Sequence, residues 1–256
     1  MTLATLLRAA SLGTALAVGL ASAALSQTGR DWAVRSQQTS FGYNTLTATA
    51  EMTLYRGGSV IGTRSLDITL LEQRPGAHDM GTIDITAPTS LAGTRLLSWS
   101  NDAGDDQQWL ATSGADRARR IGDRGRRATF VNSDYTFEDL LKWQVDNYRY
   151  DLVGTASCPA GSCTQVRATP TARSSAYGAL LVDYDSSARI SRIQYFRNGS
   201  NSVWKEQVAT GYRRVGNSWQ PAETVMTNNE TGTRTVVRWS NYRANAAIDT
   251  TRFQPN

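Results

Sequence analysis

The feature that most constrains this chain is a cadence. Short runs with apolar and polar residues in alternation are broken about every ten residues by turn-forming clusters, the spacing of an antiparallel sheet, barrel or sandwich. Residues 66–70 read Leu-Asp-Ile-Thr-Leu and residues 83–85 read Ile-Asp-Ile, both with the period of two that sends alternate side chains to opposite faces. Further runs span 45–55, 60–71, 93–99, 107–111, 177–184, 190–196, 203–214, 219–226 and 233–239. Turn signals divide them: Arg56-Gly57-Gly58, Arg74-Pro75-Gly76, residues 101–105, Asp185-Ser-Ser, Asn198-Gly199-Ser200, Gly216-Asn217-Ser218 and residues 228–232. No repeat, linker or low-complexity tract splits the chain, so residues 27–256 are expected to form one β-rich domain.

Two stretches carry a helical period instead. In residues 133–145, Phe137, Leu140, Leu141 and Val145 fall on one helical face. Ser133, Asp134 and Thr136 offer N-cap oxygens, and Thr136-x-x-Asp139 fits a loose capping box, so a helix is predicted there. A weaker helical pattern covers residues 31–37.

The N-terminus reads as an address. Arg8 precedes an uncharged apolar run, residues 9–25, that ends in Ala21-Ser-Ala-Ala-Leu-Ser26. One basic residue, an apolar core and small residues form the layout of a secretory signal peptide over residues 1–26, with cleavage after Ala23 or Ser26. The alternative, a membrane anchor, needs a longer run. No cysteine stands near the junction, so no lipid anchor on a mature N-terminal cysteine is expected. The two cysteines, Cys158 and Cys163, lie in C-P-A-G-S-C and are expected to form a disulfide in an oxidising compartment. The spacing is not that of C-x-x-C redox chemistry, and a structural zinc site wants four ligands where the chain has one histidine, His78. No metal and no cofactor is expected.

The formal charge is +5, with arginine far outnumbering lysine. The densest basic run, residues 116–127, contains Arg117, Arg119 and Arg120. Two readings stand. These arginines form a docking face for phosphate groups or an acidic partner, or they are a solvated stretch paired with Asp134, Glu138 and Asp139 downstream. The G-x-S-x-G nucleophile elbow, the zinc-protease H-E-x-x-H, the phosphate loop and the dinucleotide fingerprint are all missing. Asp105-Asp106 and Glu138-Asp139 have structural explanations, so the chain is not expected to be an enzyme. Nor is it expected to bind nucleic acid, given an exported chain.

Four stretches in order carry a family resemblance: Pro88-Thr-Ser-Leu-Ala-Gly-Thr-Arg-Leu-Leu-Ser-Trp99; Asp105-Asp-Gln-Gln-Trp-Leu110; Arg117-Ala-Arg-Arg-Ile121; and Phe130-Val-Asn-Ser-Asp-Tyr-Thr-Phe-Glu-Asp-Leu140. Looser agreement follows through residues 148–154, 190–195, 216–221 and 226–235. On these motifs the chain resembles the LolA-like outer membrane lipoprotein-sorting proteins. The departures are local. Asn132 stands at the family's glycine, Val131 at its methionine, and Ala111-Thr112 where a proline is usual. Asn tolerates a left-handed turn, so that turn is expected to survive.

The resemblance implies a mainly β (α+β) fold, a curved open antiparallel half-barrel with helices packed in its mouth. Between sheet and helices it implies an apolar cavity for acyl chains. Candidate lining and lid residues are Leu97, Trp99, Trp109, Phe130, Tyr135, Phe137, Leu140 and Leu141, each of which also reads as ordinary core. The family further implies a soluble periplasmic monomer that carries acyl lipid or lipoprotein, with an inner-membrane transporter of the RND type among its partners. A second reading makes it a non-enzymatic accessory or sensor module of such an exporter or of an envelope-stress pathway.

Overall fold

The computed structural model describes residues 27–72, 79–100, 106–115 and 117–255. The leader with both cleavage positions, His78 and Asp105 lie outside them. Among the described residues one α-helix forms, α1 (Gly29–Ser40). Its start is a capping box: Thr28 accepts from the Asp31 amide while Asp31 accepts from the Thr28 amide. The sequence pattern at 31–37 was therefore the middle of a helix whose signal lay in its cap. Gly29 fits where a Cβ would meet the backbone of Asp151 and Leu152 at 3.1 Å, so the helix sits close against the sheet edge.

The strands are β1 (Thr45–Arg56), β2 (Ser59–Leu71), β3 (Asp79–Ala87), β4 (Arg95–Ser100), β5 (Gln107–Ala111), β6 (Arg119–Arg120), β7 (Tyr148–Cys158), β8 (Gly161–Pro170), β9 (Ala179–Tyr184), β10 (Ile190–Phe196), β11 (Val203–Thr210), β12 (Arg213–Val215), β13 (Ser218–Gln220), β14 (Glu223–Asn228) and β15 (Thr233–Ala244). Thirteen of them make one antiparallel sheet in the order β6-β5-β4-β3-β2-β1-β15-β14-β11-β10-β9-β8-β7, and β12 pairs with β13 apart from it. The two edges, β6 and β7, are not joined, so the sheet is open.

The sheet must also be curled. Gln108 on β5 donates to the Phe137 carbonyl at 2.9 Å, and Lys205 on β11 donates to Asp139 at 2.7 Å. Those two strands stand seven places apart in the sheet. In a flat sheet that would be about 34 Å. One short segment can tie both only if the strands wrap around it.

Alternation then decides the core. Ala48, Ala50 and Met52 of β1, Leu66 and Ile68 of β2, Ile85, Leu96, Val166, Val182, Tyr195 and Val237 share the inner face and merge with Phe130, Tyr135 and Phe137 into one buried cluster. Burying side chains of this size contributes roughly 1.5–3 kcal/mol each. The outer face of β3–β5 is covered separately by the chain's end. Phe253 is fully buried there, its carbonyl accepts from Trp99 Nε1 at 2.9 Å, and Arg252 pairs with Asp84 at 2.8 Å.

Residues 133–145 are not a helix. Only single 3-10 turns form, at Glu138–Leu140 and Val145–Asn147, and Leu141 is already extended. The Thr136–Asp139 box does form, with the Thr136 amide donating to Asp139 at 2.7 Å. A continued helix with Phe137, Leu140, Leu141 and Val145 inward would point Asp139 at solvent. The buried lysine on β11 claims Asp139 instead, and tertiary bonding overrides local propensity. No helix among the described residues is long and apolar enough to cross a membrane.

Candidate functional site

The mouth of the curled sheet is filled by a strap, residues 128–147. It enters as a small hairpin: Thr129 bridges Thr136, and the turn at Val131 and Asn132 takes positive φ at both residues, 44° and 62°. Asn132 thus holds the left-handed turn that the family's glycine would hold. Phe130 is fully buried and meets Phe137 edge to face at 5.8 Å.

Polar anchors hold the strap from both halves of the sheet. Lys205 and Asp139 form an ion pair at 2.7 Å with both side chains 1% exposed. Asp139 also accepts from the Tyr177 hydroxyl at 2.6 Å and the Thr136 hydroxyl at 2.9 Å, and Lys205 donates to the Asp134 carbonyl at 3.2 Å. The Lys205 ammonium lies 5.2 Å from the Tyr177 and Tyr195 ring centres, within cation–π range. Asp134 accepts from Thr233 and, at 2.7 Å, from Thr235, while Tyr135 donates to Thr224 at 3.1 Å. On the other side Lys142 pairs with Asp79, and Trp143 stacks on Tyr148 at 4.4 Å and donates to the Tyr150 hydroxyl at 3.1 Å. The chain has only two lysines, Lys142 and Lys205, and each ties the strap to the sheet.

Glu138 is the strap's anomalous carboxylate. Burial pushes its pKa up, against the Ala176 amide at 2.7 Å and the Ser175 hydroxyl, which favour the charged form. Burial likewise pushes the Tyr177 and Tyr195 phenols well above their usual range.

The strap divides the space beneath it. One cavity of about 250 Å³ is chiefly apolar, with Phe41, Tyr43, Leu70, Leu140, Leu141 and Trp143 in its wall. A second, of about 270 Å³, is polar, bounded by Arg126, Glu138, Asp139, Tyr148, Tyr195 and Gln207 among others. Leu141, Lys142 and Trp143 belong to both walls, so the strap is the partition.

The candidate residues read from sequence separate into three groups. Leu140 and Leu141 line the apolar cavity. Phe130, Tyr135 and Phe137, on the strap itself, are buried in the main core. Leu97, Trp99 and Trp109 do not reach the mouth, and this corrects their placement in its wall. Leu96 faces inward, so Leu97 and Trp99 face outward, and Trp109 pairs opposite Leu97 on that same outer side. Trp99 and Trp109 meet there at 4.8 Å under the C-terminal segment. The sequence reading missed Lys205, Lys142, Asp134, Tyr177, Phe41 and Tyr43. The rarity of lysine among so many arginines was the one visible signal for the first two.

Arg117, Arg119 and Arg120 are exposed on and beside β6. Asp134, Glu138 and Asp139 are not their partners, because the strap's own bonds occupy all three. The Cys158–Cys163 disulfide is formed, with S–S 2.02 Å, and staples the β7–β8 hairpin.

Residues 78–256 match a protein-family model described as "Uncharacterized protein"-like. No curated protein matches the sequence. Among solved structures, the chain is similar to a protein from Vibrio parahaemolyticus described as an outer membrane lipoprotein-sorting protein domain, at 24% identity and TM-score 0.82, over 88% of this chain and 96% of that one. A DUF1329 family protein from Desulfovibrio piger is similar at 24% identity and TM-score 0.82, over 88% and 95% of the two chains. A LolA superfamily protein from Nitrosomonas europaea has TM-score 0.70 at 13% identity, over 89% and 97%.

Proposed function

Since the chain belongs to the family whose model covers residues 78–256 and has the LolA-like fold, we propose that it is a periplasmic carrier that binds an acyl lipid or a lipidated protein beneath its strap. The observation that carries this reading is the apolar cavity walled by Leu70, Leu140, Leu141 and Trp143, parted from a second cavity only by a segment held through discrete polar ties. Ordinary ligand pockets hold about 300–1,000 Å³. Each cavity alone falls short of that, whereas the two joined exceed about 500 Å³. Cargo therefore enters when the strap lifts.

Magnitudes favour such an exchange. Moving a methylene out of water is worth about 0.8 kcal/mol, so a long acyl chain gains on the order of 10 kcal/mol. Breaking the two ion pairs that tie the strap, Lys205–Asp139 and Lys142–Asp79, costs about 3–5 kcal/mol each where a charge is left buried and unpaired. The cargo can thus offset the opening of the strap, and the closed strap covers the apolar wall when no cargo is bound. This requires no catalytic group and no cofactor.

The test is native mass spectrometry of protein purified from a bacterial periplasm without detergent, followed by lipid extraction. Bound phospholipid or acylated protein near one equivalent, lost in Leu141→Asp but kept in Trp109→Gln on the outer face, is the expected result. A protein that stays free of lipid after incubation with lipid would refute the carrier.

A further inference from the structure

The β1–β2 hairpin ends in the two-residue loop Gly57-Gly58, with φ of 55° and 84° and Arg56 paired to Ser59 across it. Two central residues at positive φ mark the tight turn that glycine holds without strain. Every residue from Arg56 to Ile61 is exposed. Val60 and Ile61 keep 56% and 52% of their surface in water. A β-bulge leaves Ile61 without a partner between the Leu54–Gly62 and Tyr55–Val60 pairs, so alternation lapses at the tip and both aliphatic side chains stand in water. Val60 and Ile61 thus form a small apolar tip in water.

Basic side chains surround the tip. Arg56 and Arg64 belong to the hairpin, and Arg234 stands opposite Tyr55 with its guanidinium 4.6 Å from the ring centre. None of the three joins an ion pair among the described residues. In an antiparallel sheet β5 runs the same way as β1, so the loop after Ala111, which carries exposed Arg117, lies at this same end. Arg119, opposite Leu110, extends the basic edge. Among the described residues of the adjoining β14–β15 turn, the acid is Glu230, which is already held by Arg197 at 2.6 Å.

We infer that this tip docks on an anionic phospholipid bilayer. Val60 and Ile61 enter the boundary between headgroups and acyl chains, Tyr55 sits at headgroup depth, and the arginines meet lipid phosphates. A stable protein interface needs about 800 Å² on each side, which a projecting two-residue tip cannot supply. A bilayer conforms to the tip and sets no such requirement. The apolar cavity opens toward the other end of the strands, beside Leu71 and Asp79, so docking and cargo binding are separable.

The experiment is flotation of the full protein with vesicles of phosphatidylcholine alone or mixed with phosphatidylglycerol, at about 0.05 M and about 0.5 M salt. Binding to the phosphatidylglycerol vesicles that is suppressed by the higher salt is expected. Each of Arg56→Gln and Arg234→Gln should weaken it about fivefold. Val60→Ser with Ile61→Ser should weaken it tenfold or more, on the order expected for two half-exposed aliphatics. All these positions are at the surface, so thermal midpoints and lipid content should hold. No flotation with anionic vesicles at low salt, or a serine variant that floats like the parent, overturns the inference.

Discussion

Lys205→Met tests the strap most directly. The ammonium and the Asp139 carboxylate are each 1% exposed and 2.7 Å apart. Deleting the ammonium leaves a carboxylate buried among aromatic rings. Removing one partner of such a pair costs about 3–5 kcal/mol. Asp139 keeps the Tyr177 and Thr136 donors, which places the expected loss near the lower end, about 3 kcal/mol. With a urea slope of up to about 3 kcal/mol/M for a domain of this size, the midpoint should fall by about 1 M. Adding Asp139→Asn removes the stranded charge while keeping an acceptor for Tyr177, and should recover most of that loss. Hydrogen exchange locates the effect: amides at 137–143 should lose protection before the sheet does. If the single variant unfolds within about 0.3 M of the parent and the strap stays protected, the ion pair does not hold the strap and this reasoning fails.

The remaining expectations concern pH and the staple. Burial raises the Glu138 pKa in the folded state above its unfolded value, so its contribution is full below the unfolded pKa and is lost as pH rises through the folded one. The advantage of Glu138→Gln over the parent in thermal midpoint should therefore grow as pH rises above the ordinary carboxylate range; a difference that stays constant with pH would argue against it. Tyr150 is pushed up to about 12, chiefly by burial, and burial likewise raises Tyr43, Tyr135, Tyr148, Tyr184, Tyr212 and Tyr242. Folded-state pKa values above the unfolded ones mean stability intact below about pH 10 and lost above it. Absorbance of ionised phenol should accordingly appear together with the loss of near-ultraviolet circular dichroism. Replacing Cys158 and Cys163 with serine opens a loop with a sequence separation of 5, a short one. The cost by chain entropy is about 2 kcal/mol, read as a urea midpoint.

Much of the sheet was legible because half-buried strands must alternate, and β1–β5, β9–β11, β14 and β15 all do so in part. The edge strand β7 was not, since Leu152 and Val153 stand exposed together, 46% and 55%, and no face of the strand is fully covered. A strand that buries neither face leaves no period to read. The strap failed for a different reason. Phe137, Leu140, Leu141 and Val145 do keep helical spacing, but the partner that prevents the helix, Lys205, lies 66 residues away in the chain. Local pattern cannot reveal a competitor supplied by the fold. The placement of Leu97, Trp99 and Trp109 failed by one step of the pleat. An apolar residue on β4 serves either face when the C-terminal segment covers the outer one, as buried Leu96 and Leu97 both do, and alternation alone does not say which.

The choice of lysine at the two strap ties follows from the same geometry. Arginine presents a broad planar fork with five donors, all of which need acceptors when buried. The site beneath the strap offers Lys205 one carboxylate, one carbonyl at 3.2 Å and aromatic faces, which suits a compact ammonium with three donors. The chain otherwise spends its positive charge on arginine, at the surface and on the basic edge. The charge-conserving substitution Lys205→Arg should therefore still strain the closed strap. If it bound lipid and unfolded like the parent, compactness would not be what the strap requires of that residue, and charge alone would account for the tie.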